Sequence, residues 1–204
     1  MPTALPHKPY HHGDLRLTLI AAAEAELVEK GLEGFSLRGC AKRAGVSHAA
    51  PAHHFKDADA LLSALAAEGF DRLNESMVKA MDAADGGMIE KFVASGVGYV
   101  MFACANPALF HLMFGSKRPD HESPRLSEAG GRAFAVLTGN VLAMTGRDYA
   151  NDPAAGEDVI AAWAMVHGLS ELLIGDKLHL PEDMPPAALE TMIAAIIRRS
   201  APKS

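Results

Sequence analysis

Only two cysteines, Cys40 and Cys104, occur in the 204 residues, so neither a disulfide framework nor a cysteine-rich metal site has the residues it needs. Each is expected to be a free, reduced thiol. Aromatics make up just 6% of the chain, with a single tryptophan, and β-branched residues are few. Alanine, leucine and methionine carry the apolar fraction instead, which favours helix over strand and predicts an all-α fold. No apolar run approaches the roughly 20 residues of a membrane span. No charged-then-apolar leader opens the chain, so a cytoplasmic protein without a membrane partner is expected. Phosphate loops, nucleophile–base pairings and Glu-x-x-His pairs are also missing, which argues against an enzyme and predicts no metal or other cofactor.

The formal charge of −6 is unevenly spread. Residues 1–56 carry seven basic and five acidic side chains, a net +2, which leaves −8 for the remainder. Six of the ten histidines also lie in this first part, which therefore gains charge as pH falls towards their reference value of ~6.5. A modestly basic head suits a phosphate surface, and an acidic body is repelled from one.

The segment from Phe35 to Phe55 is the most informative. Ser36 is placed to cap a short helix, Gly45 supplies the positive φ that ends it, and Val46 fills the corner. Ser47 then opens a second helix of about two turns, to about His54. That layout predicts a helix-turn-helix, whose second helix is built to enter a DNA major groove. A helix from about Gly13 to Lys30, stopped by Gly31 and Gly34, precedes it. Asp57 caps a long one to about Met81 with Leu61, Leu62, Leu65, Phe70, Leu73 and Met77 as its buried stripe. Asp85-Gly86-Gly87 breaks the chain. Further helices are expected over about 88–103, 107–114, 124–144 (interrupted or bent near Gly130-Gly131), 154–177 and 186–199, making about nine in all. The expected organisation is a flexible arm over 1–12, a head with its connecting helix over 13–84, and a helical body over 85–204.

With Ala22-Ala23, Gly31, Ser36-Leu37, Ala41, Ala44-Gly45-Val46-Ser47, His54-Phe55 and Leu61-Leu62 in this spacing, residues 13–70 resemble the TetR family of bacterial transcription regulators. Trp163, His167 and Gly168 resemble the Trp-His-Gly segment of one C-terminal domain type in that family. The resemblance implies a three-helix DNA-binding head on a ligand-binding, dimerising body. It also implies a repressor bound to a two-fold operator, with recognition helices roughly 34–36 Å apart, until a small molecule releases it. DNA contacts are then implied for Ser36, Arg38, Ser47, His48 and Ala49, with Lys42, Arg43, His53, His54 and Lys56 beside them. Ala52 stands where the family usually has a phosphate-binding tyrosine, and Ala58 where it commonly has lysine. Weaker, less salt-dependent DNA binding is implied.

In the body, Phe92, Tyr99, Phe102, Phe110, His111, Phe114 and Phe134 gather in three consecutive helical segments, alongside Met101, Met113 and Cys104. An ordinary core and an adaptable apolar cavity both fit; the cavity would take a small, largely apolar effector. Trp163 and His167, four apart, share a helix face. Trp163 fits core, interface or ligand contact, and His167 either lines a pocket or satisfies a loop carbonyl. His53 and Asp57 are four apart, but a metal there needs helix where a turn is expected. The last two helices are apolar on more than one face, which predicts a homodimer through them. Two other readings stand beside this one: a small helical enzyme using His111 and His167 as acid and base, and a DNA-free interaction protein using the body pocket.

Overall fold

A computed structural model describes residues 12–148 and 151–201; the arm expected over 1–12 lies outside them apart from His12. Among the described residues the chain forms eight α-helices and one 3₁₀ turn, with no strand. The helices are α1 (His12–Gly34), α2 (Leu37–Arg43), α3 (Ala58–Asp82), α4 (Met88–Ala105), α5 (Pro107–Phe114), α6 (Pro124–Thr145), α7 (Pro153–Ile174) and α8 (Pro186–Ser200).

Local signals set most of these ends. Gly31 adopts φ 65° and ψ −179°, which kinks α1 one residue after the expected stop. The Ser36 hydroxyl accepts from Gly39 N at 3.1 Å and opens α2, and Asp57 accepts from Ala60 N at 2.8 Å to open α3. Gly45 has φ 67°, and Val46 N closes the corner on Ala41 O at 3.0 Å. Prolines begin α5, α6, α7 and α8, where the missing N–H has no helical partner to lose. Glu90 reaches back to Gly87 N at 2.9 Å at the start of α4.

Two expectations need correction. Residues 47–54 are not an α-helix: a turn at His48-Ala49 leads into the 3₁₀ turn Ala50–His53. Pro51 is the cause. It has no N–H for the Ser47 carbonyl, and its ring crowds that carbonyl, so an α-helical turn cannot close there. Shorter bonds take over, from Ala50 N to Ser47 O (3.0 Å) and from Ala52 N to Ala49 O (3.2 Å). Helix α6, expected to be interrupted or bent near Gly130-Gly131, is not interrupted there and runs on through both glycines.

One core spans head and body. In the head Leu19, Ala23 and Leu27 of α1 meet Phe35, Cys40 and Phe55, and all are buried. Cys40 and Cys104 are free, and burial pushes the Cys40 thiol up to about 11, so it stays protonated. Helix α3 belongs to both parts: it packs against α1 and α5 and lies along α4 and α6. Helix α4 is 18 residues long with mean hydropathy 1.3, apolar and long enough to cross a membrane by length and composition alone, although Glu90 and Lys91 stand in its first turn. Its contacts with α3, α6, α7 and α8 account for that character as the central helix of the bundle.

Candidate functional site

The head presents a turn-and-3₁₀ segment held at two points. Pro51 and Phe55 are buried, while Ser47, His48, Ala49, Ala52, His53 and Lys56 are exposed between and beside them. Pro51 and Phe55 thus anchor a protruding segment. His54 is half-buried, its ring 6.5 Å from that of Phe55. Arg38 and Lys42 are exposed on α2, and neither they nor Lys56 have an ion-pair partner among the described residues. Arg16, which sequence reasoning passed over, lies with its guanidinium 5.5 Å from the centre of the Phe55 ring and adds a cation to this end.

Arg43 differs from the other candidates. Its Nε donates to Glu26 Oε2 at 2.5 Å, and a second nitrogen pairs with Glu29. The Lys30 ammonium, followed by Arg43, holds the Glu29 carboxyl down to about 2, so Glu29 stays ionised. Glu26 is only 6% exposed, and Arg43 serves to neutralise it rather than to stand as a free cation. This pairing explains Gly39. A Cβ there would fall 1.9 Å from Glu26 Oε1, in the path the carboxylate takes to Arg43. Gly39→Ala is therefore expected to destabilise the fold by about 1–3 kcal/mol, the usual range for overpacking, with a lower midpoint in thermal melts.

The body holds a partly open cavity of about 400 Å³ between α3, α4, α5, α6, α7 and α8. Four of the eight residues expected at a ligand site line it: Tyr99, Phe114, Phe134 and Trp163. Three do not. Phe102 and Phe110 are buried in the core outside the lining, and His111 is exposed to solvent on α5. An apolar helix such as α5 carries its aromatics on several faces, and only Met113 and Phe114 turn to the void. The eighth, His167, stands one layer behind the wall: its Nδ1 lies 2.9 Å from the Tyr99 hydroxyl, and its ring packs 4.9 Å from Phe114 and 5.2 Å from Phe110. Its partner is thus a phenol rather than a loop carbonyl. Burial lowers the pKa of His167 and raises that of Tyr99, which keeps both neutral. Phe70, Leu73 and Met77 of α3 form a further wall that the sequence reading had assigned only to core.

The loop between α5 and α6 ties this cavity to the head. Phe114 and His121, at its two ends, line the cavity. Between them Arg118 donates to Asp59 at 2.8 Å and to the Leu32 carbonyl at 2.6 Å, and lies 5.8 Å from the centre of the Phe35 ring. Leu32 belongs to the last turn of α1, whose carbonyls have no helical partner. Asp120 N donates to Ser63 Oγ on α3 at 2.8 Å. A second tie is Arg72 of α3, which binds both oxygens of Glu24 on α1 and reaches Asn106, at the α4–α5 junction, at 2.6 Å.

A helix-turn-helix at one end of an all-helical chain, on a body with an internal apolar cavity, defines the class of one-chain helical transcription regulators. Residues 19–65 match the family model described as bacterial regulatory proteins, tetR family, and residues 92–196 match that of the tetracyclin repressor-like C-terminal domain. The chain belongs to the TetR family, whose members are DNA-binding transcription regulators and generally not enzymes. It is similar to a protein with unknown function from Rhodococcus sp. RHA1, at 34% identity over 97% of this chain and 100% of that one, with a TM-score of 0.77. A TetR family regulator from Marinobacter aquaeolei VT8 shares the fold at 14% identity, TM-score 0.67, covering 92% and 95% of the two chains. The regulator FadR from Bacillus subtilis, solved with stearoyl-CoA, does so at 17% identity, TM-score 0.64, covering 90% and 98%. No curated protein matches the sequence.

Proposed function

We propose that this protein is a cytoplasmic, ligand-responsive repressor that acts as a homodimer on a two-fold operator and is released by a small, largely apolar molecule bound in the body cavity. The observation that carries this reading is the α5–α6 loop, which lines the cavity at both ends and grips the head through Arg118 in between. In the dimer the head spans residues 13–84 and the effector and dimerisation body residues 85–204. Ser36, Arg38, Lys42, Ser47, His48, Ala49, His53, His54 and Lys56 face DNA, with Arg43 supporting them from behind. A ligand acts only through its difference in affinity between the two head spacings. Typical couplings of about 1–3 kcal/mol change DNA affinity roughly 5–150-fold.

Dimerisation is supported by α7. Ile160, Ala164, Gly168 and Leu172 follow one another at four-residue spacing, and Ile160 is 63% and Leu172 43% exposed. A side chain on Gly168 would meet nothing within 4 Å, so small residues at the centre of this stripe leave room for a second helix. On α8, Ile193 and Ile197 are buried in the core, while Ala188 and Ala195 remain exposed and Met192 partly so.

The test is a pull-down of genomic fragments at moderate salt, sequenced and inspected for a palindrome, with solution mass measured alongside. Enrichment of a two-fold site by a dimer is expected; equal recovery of all fragments, or a monomer, overturns the reading. Arg118→Ala is expected to spare cavity binding and DNA binding while shrinking the effector's influence on operator affinity severalfold. Anisotropy titrations with and without effector measure that ratio.

A further inference from the structure

The cavity wall has no charged side chain: no Asp, Glu, Lys or Arg lines it. The one imidazole in the lining, His121, is an exposed loop residue whose Nε2 lies 3.3 Å from the Ser116 carbonyl; behind the wall burial keeps His167 neutral, and Glu171, 4.0 Å from the far nitrogen of that ring, is itself largely exposed. Against this apolar wall one hydroxyl stands out. Ser95 on α4 lines the cavity, is only 5% exposed, and has no hydrogen-bond partner among the described residues. A serine inside a helix ordinarily returns its proton to the carbonyl four residues back. Ser63 does so to Asp59 O at 2.7 Å, and Ser170 to Val166 O at 2.8 Å. Ser95 does not, and its hydroxyl is accessible from the cavity rather than fully buried. It sits one helical turn from Tyr99, on the same face of α4.

We propose that the cavity selects an uncharged, largely apolar molecule with one hydrogen-bonding group, which pairs with Ser95 Oγ beside the Tyr99–His167 pair, and that it rejects carboxylates and other anions. The inference rests on the reading of this cavity as the effector site and narrows the chemistry it accepts. An anion brought into this space would lose its hydration and find no lysine or arginine to replace it. A hydroxyl or carbonyl group would instead complete the hydrogen bond that Ser95 lacks.

The full-length protein is loaded with the neutral fluorophore N-phenyl-1-naphthylamine, which is then displaced by 1-decanol or by decanoate at pH 8. Decanol is expected to displace it at concentrations at least about tenfold below those of decanoate. Ser95→Ala is expected to weaken decanol about three- to tenfold, the worth of one neutral hydrogen bond, and Ser95→Thr to restore it. Without ligand, Ser95→Ala should leave the thermal midpoint unchanged or raised, because the hydroxyl it removes is unpaired. Decanoate as effective as decanol, or decanol affinity indifferent to Ser95→Ala, overturns the proposal. Failure of the fluorophore to bind overturns the cavity reading with it, whereas decanol binding that never alters DNA affinity counts against the effector reading alone.

Discussion

Phe110→Ala is expected to remove about 3–5 kcal/mol of stability, out of the ~5–15 kcal/mol that holds a typical domain together. Phe110 is 1% exposed, and its ring meets three others: Tyr99 edge-on at 5.9 Å, Phe114 at 4.9 Å and His167 at 5.2 Å. Truncation leaves a void beside the ligand cavity, and the Tyr99–His167 pair loses the surface that orients it. Ligand binding should therefore fail along with stability. Helix α5 also packs on α1 and α3, so the loss reaches the head. Urea titrations at fixed protein concentration measure the change, since the stability of the proposed dimer would depend on concentration. Phe134→Ala provides the contrast. That ring is 40% exposed at the cavity wall and should cost about 1 kcal/mol or less. Similar losses for the two variants would mean that the aromatic layer behind the cavity is not the rigid support described here.

The sequence was most legible where the physics is local. Ser36, Gly31, Gly45, Asp57 and the helix-opening prolines act within four residues of themselves, and each marks an element end within a residue or so of its observed place. Pro51 is equally local, and its consequence was readable too: a proline in the second turn of a presumed helix forces shorter bonds. The cavity was half legible. Composition shows that aromatics cluster in α4, α5 and α6, but helical periodicity cannot say which apolar face meets a void and which meets another helix. Phe110 and Leu73 are alike in pattern, yet only Leu73 lines the cavity. Least legible were the long-range polar contacts. Arg118 reaches a carbonyl 86 residues away, and Arg72 a carboxylate 48 away. Gly39 reads as a weak spot in α2 until Glu26 is seen to cross it.

Replacing both Arg38 and Lys42 by alanine is expected to weaken binding to any duplex about 60-fold at 0.1 M salt, and to flatten the plot of log K against log salt by about 1.8, because each phosphate contact contributes a slope of about 0.9. The effect follows from which cations are free. Arg38 and Lys42 are exposed and without an ion-pair partner among the described residues, whereas Arg43 on the same helix is engaged by Glu26 and Glu29. Arg43→Ala should thus lower the melting midpoint yet leave the salt slope nearly unchanged. The two variants separate electrostatic contact from scaffold, and a random-sequence duplex suffices because counterion release is indifferent to sequence. Anisotropy titrations across a salt series provide both slope and affinity. Were Arg43→Ala to flatten the slope as much as the double variant does, its ion pairs would have to open on DNA. The buried Glu26 carboxylate would then be left without its counter-charge in the bound state. DNA binding and head stability would oppose each other, an arrangement that the closed contact of Glu26 over Gly39 argues against.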